Sequence, residues 1–138
     1  MESTLKKSRE DENDWIPIVD QSLARLILRA LGDDDKEKIL RFLAEKPNTI
    51  SNVLEICKIP KTSGYRKINS LIDDGFLLSV DFDTGIDGKK ITKYISAFEN
   101  LKIKIVKNKV IIKVQIHHAI EDLPSSKLKN SLYNITAN

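Results

Sequence analysis

Apolar residues along this chain recur first at a helical spacing and later at a strand spacing, and the period changes at Gly75. Leu23, Leu26, Ile27, Ala30 and Leu31 return every three or four positions, and so do Ile39, Leu40 and Leu43, with Phe42 at their edge. That spacing lays an apolar stripe along one side of a helix. Asp20 stands before the first stripe as an N-cap, and Gly32 behind it as a stop. One of Asp33, Asp34 or Asp35 caps the second helix, which ends ahead of Pro47. Asn48, Thr49 and Ile50 make a linker or a small strand. Ser51 is expected to cap a short third helix over 52–58, with Glu55 as its capping partner. Val53, Leu54, Ile56 and Cys57 are its apolar residues.

A fourth helix follows at once, entered through Pro60 and ended by Gly75. At about 100° per residue, Gly64, Ile68, Leu71, Ile72 and Gly75 share one side. Ser63, Arg66 and Ser70 fall opposite, flanked by Thr62, Lys67 and Asn69. This outer side carries hydroxyls, an amide and cations, and no carboxylate before Asp73. A solvated helix face ordinarily interleaves both charge signs, so a face without acids suits an anionic surface such as a DNA groove. Gly64 costs its helix about 1 kcal/mol relative to Ala. Its presence points to a preceding helix, near Val53 and Leu54, that crosses too closely for a larger side chain.

Beyond Gly75 the alternation has a period of two. Leu78, Val80 and Phe82 alternate with Ser79 and Asp81, which predicts a strand over 76–82. Thr84-Gly85 and Asp87-Gly88 are turn dipeptides, and 89–98 is the returning strand, with Ile91, Tyr94 and Ile95 available for packing. A short helix, a tight turn, a polar-faced helix and then a hairpin spell a helix-turn-helix followed by a wing. Lys89 and Lys90 at the wing tip are placed to reach flanking phosphates or a minor groove. A second hairpin follows. Leu101, Ile103 and Ile105 alternate with Lys102 and Lys104; after Lys107-Asn108-Lys109, Val110, Ile112, Val114 and Ile116 alternate with Ile111, Lys113 and Gln115. Two strands cannot stand alone in water, so this hairpin packs on the domain, on the first helix or on another subunit.

Composition narrows the choices further. The chain has 138 residues, enough for one core, and a net charge of +3 that says little by itself about partners. The first fourteen residues are charged and almost without apolar positions, which predicts a disordered leader. Residues 15–19 are an apolar patch broken by Pro17, expected to pack as an extended arm. No apolar run approaches a membrane span and the start of the chain has no apolar signal core, so the cytoplasm is the expected compartment.

Candidate catalytic and metal groups are sparse. One cysteine excludes an internal disulfide framework. With no second Cys and no neighbouring His, Cys57 is expected to be a buried core residue rather than a thiolate ligand. Adjacent aspartates at a helix start are cap and dipole groups far more often than a metal cradle. His117 and His118 are consecutive, and on a strand such neighbours point to opposite faces, which argues against a shared metal. Pro124-Ser125 starts a weak final helix with Leu128, Leu132 and Ile135. There is no glycine-rich phosphate loop, nucleophile elbow or zinc-type ligand set, so neither an enzyme, a metal nor a cofactor is expected.

Three runs carry a resemblance to a known family. These are Ala30-Leu31-Gly32-Asp33 ahead of Lys38-Ile39-Leu40, then Ile59-Pro60-x-Thr62-Ser63-x-Tyr65-Arg66-x-Ile68, then Leu71-x-x-x-Gly75-Phe76-Leu77. Over 26–98 the chain resembles archaeal winged helix-turn-helix regulators of the ArsR-like superfamily, most tellingly in Tyr65-Arg66. The resemblance implies a three-helix core plus wing, DNA binding through the second helix of the motif, and a dimer. It departs from metal-sensing members, which gather several Cys or His ligands.

The sequence therefore predicts an α+β fold: a winged helix-turn-helix (three-helix core plus β-hairpin wing) with an N-terminal helix and a second C-terminal β-hairpin. The parts are a tail over 1–14, an arm and helix over 15–32, the winged domain over 33–98, the added hairpin over 99–117 and a tail over 118–138. The expected function is a sequence-specific transcriptional regulator that binds double-stranded DNA as a homodimer. Lys61, Thr62, Ser63, Tyr65, Arg66, Lys67, Asn69 and Ser70 are the expected contacts on the helix, with the Tyr65 ring packed at the core edge, and Lys89 and Lys90 those on the wing. The alternative is a winged-helix module that docks a protein partner in the transcription machinery.

Overall fold

The structure, a computed structural model, describes residues 15–117. The leader over 1–14, His118 and the weak helix expected after Pro124 lie outside the described residues. Within them the fold is α+β, with four helices and two three-stranded antiparallel sheets. In chain order the elements are β1 (Ile16–Pro17), α1 (Gln21–Gly32), α2 (Asp34–Glu45), β2 (Asn48–Thr49), α3 (Ile50–Ile56) and α4 (Lys61–Asp73). Then come β3 (Leu77–Thr84), β4 (Lys90–Ser96), β5 (Phe98–Val106) and β6 (Lys109–Ile116). One sheet has the order β2-β4-β3 and the other β1-β6-β5. No helix among the described residues is long and apolar enough to cross a membrane.

The helix ends follow from local chemistry. Asp20 accepts from the Ser22 N–H at 2.9 Å and starts α1. Asp33 closes α1 in extended backbone and caps α2 by accepting from the Lys36 N–H at 3.0 Å. Gly32 is therefore the last residue of α1 rather than a left-handed stop. Ser51 was expected to cap the third helix; Thr49 does so instead, its Oγ1 accepting from the Asn52 N–H at 3.2 Å, and Glu55 closes no capping box. The reason is tertiary. Asn48 and Thr49 pair with Tyr94 and Lys93 of β4, so the chain turns into α3 two residues earlier than the sequence pattern implies.

The α3–α4 turn uses Lys58 at φ +58, with Lys58 and Ile59 N–H groups returning to the carbonyls of Glu55 and Leu54. The end of α4 repeats this design with a glycine. Gly75 sits at φ +84, its N–H bonds to the Ile72 carbonyl, and the Phe76 N–H to that of Leu71. Only glycine takes that left-handed backbone without a Cβ penalty.

One core joins everything. Leu23, Ile27 and Ala30 of α1 meet Ile39, Leu40 and Leu43 of α2, Leu54 of α3, Ile68 and Leu71 of α4, and Ile112, Val114 and Ile116 of β6. Each of these leucine, isoleucine and valine side chains contributes about 1.5–3 kcal/mol by leaving water. Ala97 stands between the sheets: its N–H donates to the Phe76 carbonyl at 2.8 Å and its carbonyl accepts from the His117 N–H at 2.9 Å. Beside it the Phe76 and Phe98 rings pack tilted, 5.1 Å apart.

The expected arm is present as β1, whose Ile16 and Pro17 pair with Val114 and Lys113. The second hairpin is thus covered in part within its own chain, by the arm and by the core that α1 shares with Ile112, Val114 and Ile116. Ile103, Ile105, Val106, Val110 and Ile111 remain exposed toward its tip. Gln115, expected on the solvent side, is buried and accepts from Asn100 Nδ2 at 2.8 Å, next to the bulge that shifts register between Phe98 and Asn100.

Candidate nucleic-acid interface

α4 presents its outer face because its inner face is fixed. Ile68 and Leu71 are buried, and a Cβ on Gly64 would lie 2.5 Å from Leu54 Cδ2 and 3.2 Å from Ile59 Cγ2. The close crossing expected at Gly64 is therefore made by Leu54, with Ile59 beside it. Beyond Lys61 at its start, the exposed residues of α4 are Thr62, Tyr65, Arg66, Asn69 and Asp73, at the i, i+3, i+4, i+7 spacing of one helix face. This face is turned by less than one residue step from the expected one, away from Ser63 and Ser70, which are half-buried. Tyr65 was expected to pack its ring at the core edge; it is 41% exposed and stands on the outer face.

Two of the expected contacts are engaged inside the fold. Lys67 Nζ lies 3.1 Å from Asp33 Oδ1 and 3.0 Å from Asp35 Oδ2. Ser70 Oγ accepts from Lys36 Nζ at 3.0 Å. Asp35 and Asp33 raise the Lys67 pKa above its ordinary 10.5. The Lys36 N–H holds the Asp33 carboxyl below its ordinary 3.8, with Lys67 helping against desolvation. The aspartate cluster read from the sequence as a helix cap thus has a second role as the counter-charge of α4. Sequence spacing does not show that role, since the partners stand more than thirty positions apart.

Arg66 takes part in no ion pair among the described residues. α4 also begins without a side-chain cap and without an acidic residue in its first turn. Its leading amides and the exposed Lys61 therefore form a positive end beside Thr62, an arrangement that accepts an oxyanion. Chemically, the face offers a guanidinium, an amide, a phenol and a hydroxyl in one row.

The β3–β4 hairpin is more structured than a basic loop. Lys89 Nζ is 4.0 Å from Asp87 Oδ2, and Lys93 Nζ is 3.2 Å from Asp83 Oδ1. Lys90 Nζ stands 4.4 Å over the Phe82 ring. Phe82 and Ile91, expected to pack, are exposed; β3 shifts register between Ser79 and Asp81, and the tip projects past the core.

No protein-family model, curated protein or solved structure matches this chain. The functional reading therefore rests on its own residues.

No group of three or more potential metal-binding side chains occurs among the described residues. Cys57 is half-buried and packs against the edge of the core rather than inside it, and desolvation raises its thiol pKa, which leaves it unlike an activated thiolate.

Proposed function

We propose that the chain is a sequence-specific, double-stranded-DNA-binding transcriptional regulator built as a winged helix-turn-helix. In this reading α3 and α4 are the helix-turn-helix, α4 is the recognition helix in the major groove, and the β3–β4 hairpin is the wing on the flanking backbone. The observation that carries it is the exposed row Thr62, Tyr65, Arg66 and Asn69, which holds no carboxylate until Asp73 and follows a tight turn from α3. Arg66 and Asn69 are the base readers, since guanidinium and carboxamide groups match the edges of guanine and adenine. Lys61, Thr62 and the α4 amides hold a phosphate, and Tyr65 donates its hydroxyl to another. Ser63 supports the entry of α4; Lys67 and Ser70 position the helix from behind. Lys90 and Lys89 extend the footprint. Membership of the ArsR-like superfamily is proposed on the same residues, Tyr65-Arg66 first.

Selection of bound sequences from random duplexes, followed by titration across salt concentrations, tests this. A regulator of this kind yields one preferred sequence, and its affinity falls steeply with salt, by about 0.9 log units per log unit of salt for each phosphate neutralised. A protein-docking module yields neither. Recovery of no preferred sequence, with a flat salt response, would overturn the reading.

A homodimer completes the proposal. One reading helix covers a few base pairs, and a two-fold pair reads two half-sites about 34–36 Å apart. The exposed apolar tip of the second hairpin is the proposed contact.

A further inference from the structure

The wing tip exposes apolar side chains beside its polar turn residues Asp87 and Lys89. Ile86 is fully exposed at the turn, and Phe82 and Ile91 are each exposed by about half. Register sets Phe82 opposite Thr92 and Thr84 opposite Lys90, so these four side chains share one face of the hairpin. None of them is acidic. Two nearby carboxylates are engaged locally: Asp83 Oδ1 lies 3.2 Å from Lys93 Nζ, and Asp87 accepts from the Lys89 N–H at 3.1 Å with Lys89 Nζ 4.0 Å away. Lys90 has no carboxylate partner among the described residues and is steadied instead over the Phe82 ring. One face of the hairpin near its tip thus combines an aromatic platform with a cation that has no carboxylate partner among the described residues, and Ile86 stands bare in the turn beyond it.

Reach is sufficient as well. β3 has eight residues, which at about 3.3 Å each extend roughly 26 Å. Half a turn of duplex separates a major groove from the neighbouring minor groove by about 17 Å. A hairpin based beside α4 is therefore long enough for its tip to enter that minor groove.

We infer that Ile86 is an apolar wedge: it enters the minor groove beside the site read by α4, partly unstacks one base step, and bends the duplex. Aliphatic wedges act in this way in minor-groove binders, at flexible pyrimidine–purine steps above all. Lys90, carried on Phe82, meets the phosphate next to the opened step. The inference rests on the DNA-binding reading and adds to it a bend and a position.

The test uses the full chain and a duplex of about thirty base pairs bearing the selected sequence. Dyes at its ends report bending by energy transfer, and 2-aminopurine placed at each flanking step in turn reports unstacking. Binding should shorten the end-to-end distance and brighten one flanking step. Ile86→Ser should melt like the parent, lose both signals, and bind about tenfold more weakly. Ile86→Phe, which keeps a wedge, should retain both. Tight binding with a straight duplex and dark flanking steps would overturn the wedge while leaving the DNA reading intact. Absence of any selected duplex would overturn both. If Ile86→Ser instead lowers the mass of the free protein in sedimentation, the tip is a contact between copies and the wedge falls.

Discussion

Lys67 Nζ sits 3.1 Å from Asp33 Oδ1, so α4 is pinned to the one residue that both closes α1 and caps α2. An ammonium held by two carboxylates, Asp33 and Asp35, is poorly placed to neutralise a phosphate. Lys67→Met should therefore lower the melting temperature, most clearly at low salt where the ion pair is least screened. Affinity for the selected duplex should stay close to that of the parent. Unchanged melting with lost affinity would return Lys67 to the DNA face.

The same pair gives a signed pH dependence. Asp33 has a folded-state pKa below its ordinary 3.8, so its stabilisation is complete above that value and is lost as pH falls through the folded pKa. Lys67 is raised above 10.5, so its stabilisation is complete below 10.5 and is lost as pH rises through the folded value. Between those limits the contact is indifferent to pH. Asp33→Asn keeps the cap and removes the titration. Acid unfolding monitored below pH 3.8 should then be less steep than in the parent; an identical profile would place the acid sensitivity elsewhere.

Gly64 and Leu54 make a close crossing of α4 and α3. The added Cβ of Gly64→Ala would meet Leu54 Cδ2 at 2.5 Å, which Leu54 must relieve by turning within a packed core. The gain in helix propensity, about 1 kcal/mol, offsets that cost. Gly64→Ala should fall within about 1 kcal/mol of the parent in denaturant titration. Gly64→Val has no comparable offset and should lose about 1–3 kcal/mol by overpacking. A valine variant with the parent's midpoint would show that the crossing is looser than its geometry.

Much of this architecture is legible in the sequence because it is set by nearest neighbours in the chain. The stripes Leu23-Ile27-Ala30 and Ile39-Leu40-Leu43, the cap at Asp20 and the glycine stop at Gly75 are all local chemistry. What escapes is what distant elements impose. The start of α3 moved to Ile50 because β4 pairs with Asn48 and Thr49. The outer face of α4 rotated toward Tyr65 because Asp33, Asp35 and Lys36 draw Lys67 and Ser70 inward. Strand alternation located the two hairpins, but it does not tell where a hairpin leaves the core. Phe82 and Ile105 obey the pattern and remain in solvent all the same.

Arg66 is an exposed cation on the outer face of α4 with no ion pair among the described residues. Arg66→Ala removes an exposed side chain with no ion pair among the described residues, so the melting temperature should hold. If its guanidinium reads a guanine, specific binding should weaken by about 1–3 kcal/mol and discrimination at that base should relax. Asn69→Ala should act similarly at a neighbouring position. Ser70→Ala, whose hydroxyl is turned toward Lys36, should leave the base preference alone. Unchanged affinity in the Arg66 variant would take it out of the readout and favour protein docking.

The dimer is tested at the tip of the second hairpin rather than on α1. Ile27 is 1% exposed inside its own chain, so charges at Leu26 and Ile27 would unfold the protein and report nothing about assembly. Ile105 and Val110 face each other across the hairpin and stay exposed, at 71% and 49%. Val19 and Leu28 border a groove shared with Val110 and Ala24, whose polar edge is made by Gln21, Arg25 and Lys109. Apolar side chains clustered on one exposed hairpin tip mark an interaction site more often than isolated exposed residues do. Ile105→Glu with Val110→Glu should therefore preserve melting while converting a dimer to a monomer, and binding to a two-half-site duplex should fall more than binding to a single half-site. Deleting residues 1–14 should leave assembly unchanged; the cut stops there because Ile16 and Pro17 pair with β6. Sedimentation equilibrium at micromolar concentration decides the matter. A monomer mass for the parent chain, with binding still specific, would defeat the dimer and leave this apolar tip to some other partner.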